Sequence, residues 1–156
     1  MQWISLASVV VGALIATASS AFLDRRRWRR EQAQRLVDAR RILYGEYLAA
    51  LSRARNDFRG LARDLDVPLD RRDMSARASF APCYEIRYQV AITASVAVVA
   101  VSEETFRRLR DVRDLAGAGT LAGDERYSGG RGEYEAALTK LRAAMREELG
   151  SSGGVR

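Results

Sequence analysis

The chain of 156 residues has no histidine, one cysteine (Cys83), one lysine (Lys140) and two prolines (Pro68 and Pro82). Without imidazole there is no Ser-His or Cys-His nucleophile pair and no zinc site of the usual kind. A lone thiol closes no disulfide within the chain and suits a reducing compartment. No catalytic residue, metal or other cofactor is expected. So few prolines leave room for long uninterrupted helices. What remains is 47% apolar and 29% charged, a composition that folds rather than one that stays disordered.

One stretch stands apart. From Trp3 to Leu23 the sequence WISLASVVVGALIATASSAFL carries no charge, and a helix rising about 1.5 Å per residue would carry it across a bilayer core of roughly 30 Å. Trp3 and Trp28 stand where indoles settle at the two headgroup levels. Ala16-Thr17-Ala18 has the small-x-small form of a signal-peptide cleavage site, but positive charge should then precede the run. Here Arg25, Arg26, Arg27, Arg29 and Arg30 follow it directly. By the positive-inside rule residues 1–23 are a single-pass anchor in the inner membrane, N-terminus out, with the bulk of the chain in the cytoplasm. Ser8, Gly12, Ala16 and Ser20 place a small residue at every fourth position, a stripe along which two such helices would pair weakly.

The charge is uneven. Residues 24–41 hold eight arginines against Asp24, Glu31 and Asp38, which is five of the six net positive charges. The basic balance therefore describes a juxtamembrane collar, in which the five arginines and Trp28 meet anionic lipid headgroups at about 1 kcal/mol each. Beyond Arg41 the chain is nearly neutral. Arg107, Arg108 and Arg110 have acids four residues away in Glu103, Glu104, Asp111 and Asp114, so they read as a solvated helix face and not as a phosphate patch.

The collar leads into apolar positions at Tyr44, Tyr47, Leu51, Ala54, Phe58, Leu61 and Leu65, spaced alternately three and four. This is a heptad seam on one helix. Gly45 and Gly60 are its weak points, and Val67-Pro68 should stop it near Asp64 to Asp66. The polar residues 66–79 read as a loop. From Tyr84 to Ile92 the alternation fits a strand, while Phe80, Tyr84, Tyr88, Ala91 and Ile92 fit a helical stripe with Pro82 in a first turn. Helix is the reading adopted, since no second strand exists to pair with. Ser95 should cap a helix over 96–115. The glycine-rich residues 116–132 read as a second loop, Tyr134, Leu138, Leu141, Met145 and Leu149 as one face of a last helix, and 150–156 as a disordered tail. The fold expected is all-α, with one transmembrane helix continuing into an antiparallel helical bundle or long hairpin over residues 31–149.

The layout, with WISLASVVVGALIATASSAFLDRRRWRR leading into RRILYGEYLAALSRAR and EETFRRLRDVRDL, resembles that of small bacterial single-pass membrane proteins with Arg- and Ala-rich cytoplasmic helices. It is also similar to the stalk subunit of rotary ATP synthases as far as Leu65, after which Pro68 and the glycine loop depart from that pattern. The first resemblance implies no activity. Other chemistry is thin. Gly117, Gly119 and Gly123 approach a dinucleotide fingerprint, but the third glycine comes one position late and the segment follows a helix. Glu103 and Glu104 point about 100° apart on a helix. Cys83 reads as a small buried hydrophobe, and Tyr44, Tyr47, Tyr84 and Tyr88 as core lining rather than a platform for bases. The function expected is a membrane-anchored interaction module, scaffold or accessory subunit with an unknown protein partner. The alternative is a membrane-tethered nucleic-acid binder using the basic collar; nucleic acid is not the partner expected.

Overall fold

The computed structural model describes the backbone of residues 2–153 and the side chains of residues 28–151 other than 30 and 33. It has two compact units, Met1–Asp38 and Ala39–Arg156. The first unit belongs to helix α1 (Gln2–Leu61). Among its described side chains Trp28 and Leu36 are exposed and Val37 is buried. No helix among the described residues is long and apolar enough to cross a membrane. The side chains of the run Trp3–Leu23, on which the expected span rests, lie outside the described residues.

The second unit is a four-helix bundle built from the remainder of α1 with α2 (Leu69–Thr93), α3 (Val96–Gly117) and α4 (Glu125–Gly153), and no strand occurs among the described residues. Joins of at most seven residues make successive helices antiparallel neighbours. The α1 seam is satisfied within the chain. Tyr44, Tyr47, Leu51, Ala54 and Phe58 are buried in one core cluster with Phe80, Cys83, Val90, Val98, Phe106, Leu109, Tyr134 and Leu141. Phe80 lies at its aromatic centre, 6.2 Å from the Phe58 ring and 4.7 Å from that of Phe106.

Several boundaries differ from the sequence reading. Helix α1 ends at Leu61, so Leu65 leaves the seam and is 72% exposed. The expected loop 66–79 is mostly helix, because α2 starts at Leu69 directly after Pro68. Its run of Asp, Arg and Ser is the solvent side of a helix whose inner side carries Arg72, Ala76 and Phe80. Pro82 is not in a first turn but inside α2. It stands on the exposed side, where water can take the carbonyl its missing N–H leaves free. The inner face of α2 is also rotated from the expected stripe: Cys83 and Val90 are buried, while Tyr88 and Ile92 are exposed.

Ser95 caps α3 as the spacing implied, its Oγ accepting from the Val98 N–H at 3.4 Å. The glycine segment is shorter than expected, since α3 runs to Gly117 and α4 begins at Glu125. Gly129, Gly130 and Gly132 are helical. At Gly130 a Cβ would stand 3.2 Å from Leu115 Cδ1, so the small residue lets α4 lie close against α3. Residues 150–153 continue α4, which corrects the expected tail over those positions.

The turn between α1 and α2 closes on one buried side chain. Arg72, 3% exposed, donates from Nη1 to the Leu61 carbonyl at 2.6 Å, from Nε to the Val67 carbonyl at 2.8 Å, and from Nη2 to the Asp64 carbonyl. Ala122 N–H takes the Ala62 carbonyl at 2.9 Å, which ties the α3–α4 loop to the same end. The Leu61 carbonyl at the end of α1, which has no partner within its own helix, and the turn carbonyls of Ala62, Asp64 and Val67 are thereby satisfied, and a cation sits at the negative end of the α1 dipole. Arg72→Ala should therefore cost about 2 to 4 kcal/mol, because it strands several acceptors at once, whereas the exposed neighbour Arg71→Ala should stay within about 0.5 kcal/mol. Urea unfolding midpoints of the two variants check this.

Candidate functional site

The opposite end of the bundle is closed by a carboxylate. Glu148, on α4, has a side chain only 9% exposed and gathers donors from three residues, two on α1 and one at the α2–α3 join. Tyr44 O–H donates to its Oε2 at 2.7 Å, Ser95 Oγ to Oε2 at 3.0 Å and Ser95 N–H to Oε1 at 3.2 Å. Arg40 Nη1 lies 3.1 Å from Oε1, and Arg40 Nε donates to the Thr93 carbonyl at 3.0 Å. An anion thus sits at the N-terminus of α3, where the dipole favours it. Burial, followed by the hydrogen bond to Glu148, raises the Tyr44 hydroxyl well above its ordinary range.

Beside this node, α1 and α4 border a groove of about 410 Å³ lined by Arg41, Tyr44, Gly45 and Leu48 on one wall and Arg142, Met145, Arg146 and Leu149 on the other. Its floor is apolar and its rim is cationic. Among the described residues Arg142 and Arg146 face no carboxylate within ion-pair distance, although Arg146 Nε donates to the Arg142 carbonyl at 3.2 Å. Several other arginines of α3 and α4 are answered. Arg108 lies 2.7 Å from Glu104 and 2.6 Å from Glu133, Arg113 lies 2.6 Å from Asp114, Arg131 lies 3.8 Å from Glu135, and Arg107 also pairs with Glu104. The expected partners of Arg107 were Glu103 and Asp111; its guanidinium reaches Glu104, three residues back, instead.

Inside the core lies a small polar set. Ser102 Oγ donates to Tyr47 Oη at 3.1 Å, and Tyr134 Oη is buried with no hydrogen-bond partner from the described residues. Cys83 is a free, buried thiol, and burial pushes it up to about 11. Burial likewise pushes Tyr47 up to about 12, against the opposing effect of its bond with Ser102. A thiol that stays protonated at neutral pH is no nucleophile. The described residues hold no cluster of His, Cys, Asp or Glu able to ligate a metal.

The glycines that approached a dinucleotide fingerprint have a structural task. Gly119 adopts φ +83°, Gly119 N–H donates to the Ala116 carbonyl at 3.1 Å, and Thr120 N–H to the Leu115 carbonyl at 3.0 Å. That bond pair is a Schellman stop for α3. A Cβ at Gly119 would come within 2.6 Å of Leu69 Cδ2.

Of the expected site residues, Tyr44, Tyr47, Leu51, Ala54 and Phe58 come together in the core, Leu61 packs at its edge and Leu65 does not join. Trp28 and Arg29 are exposed. The side chains of Arg25, Arg26, Arg27 and Arg30, and those of Ser8, Gly12, Ala16 and Ser20, lie outside the described residues. Sequence reasoning missed Arg72, Glu148 and the groove. The signal for Glu148 was a carboxylate seven residues beyond Leu141 and fourteen beyond Tyr134, on a face otherwise apolar. Compared with protein-family models, with curated proteins and with solved structures, the chain finds no match.

Two measurements follow from the core groups. Tyr134→Phe removes a hydroxyl without a protein partner and should be neutral or stabilising by about 1 kcal/mol, whereas Tyr47→Phe should cost about 1 kcal/mol by stranding Ser102; thermal melts of both variants at neutral pH decide it. The second concerns alkali. Cys83 and Tyr47 are neutral when protonated and hold their protons more tightly folded than at their ordinary values of 9.0 and 10.0. The unfolded chain therefore ionises first, and stability should be flat between about pH 7 and 9 and fall as pH rises from about 9 to about 12, by at most about 1.4 kcal/mol per pH unit and group. In urea titrations across that range, Cys83→Ala should move the onset toward pH 10.

Proposed function

We propose that the chain is a membrane-anchored helical interaction module, a scaffold or accessory subunit of a membrane complex that performs no catalysis. The observation that carries this reading is an order along the sequence: an uncharged run from Trp3 to Leu23, then five arginines within six residues, then a bundle-forming chain that is nearly neutral. The run supplies the anchor, and the arginines with Trp28 bind anionic headgroups and hold the N-terminus outside. The bundle then stands in the cytoplasm at the inner membrane. Its α1–α4 groove supports the module reading, because it offers apolar surface and cationic side chains together. Ser8, Gly12, Ala16 and Ser20 would let two anchors pair weakly.

A reporter fused after Arg156 should be active in the cytoplasm, and the protein should leave membranes with detergent but not with high salt. Replacing Arg25, Arg26, Arg27, Arg29 and Arg30 together by Gln should give mixed orientation. Reporters active only outside, or a chain released by salt alone, would overturn the reading. Salt-dependent retention of DNA by the full chain would favour a nucleic-acid binder instead.

A further inference from the structure

We infer that the groove between α1 and α4 receives an acidic amphipathic helix of a second protein. The inference rests on the interaction-module reading and names the partner's chemistry. Its first support is charge. Arg107, Arg108, Arg113 and Arg131 pair with acids of α3 and α4, whereas the guanidinium groups of Arg142 and Arg146 have no carboxylate in reach among the described residues and, unlike the equally unpaired Arg110, border an apolar groove. No acid among the described residues lines the groove. An anionic occupant is the complement of that rim, and a basic one would be repelled by it.

The second support is shape. The lining spans residues 41–48 of α1 and 142–149 of α4, about 10 Å or two helical turns on each wall. Leu48, Met145, Leu149 and the Tyr44 ring form the floor. Gly45 keeps it open, since a Cβ there would meet nothing within 4 Å. Methionine adapts to varied side chains at helix-binding surfaces. Such a groove seats apolar residues at i, i+3 or i+4, and i+7 of a docked helix.

The spacing of the cations separates a helix from a lipid. Arg142 and Arg146 are one turn apart on the same wall, roughly 6 Å between Cβ atoms, and Arg41 stands on the facing wall. Cations strung one turn apart along a wall match carboxylates one turn apart beside an apolar stripe. A single phosphate headgroup would call for arginines converging on one point.

The test uses the full-length chain in neutral detergent micelles and a fluorescein-labelled peptide of about 16 residues, long enough for a helical docking segment, with Leu at i, i+3, i+4 and i+7 and Glu flanking them. Fluorescence anisotropy should show saturable binding that weakens with salt. Arg142→Glu with Arg146→Glu should weaken it about tenfold or more, as reversal of close interfacial charges does. Gly45→Leu, which fills the groove while favouring the helix, should abolish binding with an unchanged circular-dichroism spectrum, and Arg110→Glu on α3 should leave it unaltered. The inference is overturned if a version with Lys for Glu binds equally, if Gly45→Leu has no effect, or if the peptide fails to bind. Binding of phosphatidylglycerol vesicles that depends on Arg142 and Arg146, with no peptide binding, would assign the groove to lipid and also overturn it. Topology reporters report on the anchor alone, so an outward-facing bundle that still binds the acidic peptide would sink the cytoplasmic reading and leave the groove standing.

Discussion

The bundle is organised by one constraint: the face of α1 from Leu43 to Leu61, carried on by Ala62 just past its end, is apolar and has to be covered along its length. That face is roughly 30 Å long at 1.5 Å per residue, and no single short segment can cover it. Helices α2, α3 and α4 have 25, 22 and 29 residues, each long enough to run most of that distance. Burial of Tyr47, Leu51, Phe58, Phe80, Leu109 and Leu141, at about 1.5 to 3 kcal/mol for each large apolar side chain, supplies the drive. The ends of the helices then set the limits. At one end Arg72 takes carbonyls from the C-terminus of α1 and its turn; at the other, Glu148 takes the Ser95 amide at the N-terminus of α3. Each buried charge opposes the sign of the dipole it meets, so both ends are closed by the same electrostatic rule. Replacing either group by an apolar one of equal size would fill the space and leave the backbone groups unanswered.

The seam was legible because a period of 3.5 residues survives over several turns, and the buried set from Tyr44 to Phe58 follows it. The two loops were read too long for one reason. Polar runs and glycines were taken as breaks, although α2 begins with an exposed polar face and α4 uses Gly130 to approach Leu115. Glycine marks a stop when the backbone needs a left-handed residue, as Gly119 does, and a close contact when it does not. A single sequence shows the glycine and conceals which demand it meets. The α2 stripe was misread by about one helical position, because Tyr84 and Tyr88 are aromatic and drew the register toward themselves. Tyr84 does pack its edge on Phe80 and Phe106 at 5.3 and 5.0 Å while remaining partly exposed.

The groove was illegible for a different reason. Its walls are about a hundred residues apart in sequence, and no spacing rule connects Leu48 to Met145. The pairing state of an arginine is equally invisible before the helices are placed, since Glu133 reaches Arg108 across the α3–α4 contact rather than along one helix. The uncharged run, by contrast, needed no partner to be seen.

Twenty-five arginines against one lysine look at first like compositional bias. The structure gives the guanidinium several separate uses. Arg72 needs a planar fork to serve three carbonyls at once. Arg87 and Arg113 lie over the Phe106 and Phe80 rings at 4.6 and 5.1 Å, where a flat, weakly hydrated cation stacks and an ammonium does so less well. Arg108 bridges two carboxylates on different helices. These roles are distinguished by what the cation touches, so abundance alone carries no functional meaning in this chain. An arginine becomes informative when it stands unanswered beside apolar surface, and on that criterion Arg142 and Arg146 differ from the paired arginines of α3 and α4.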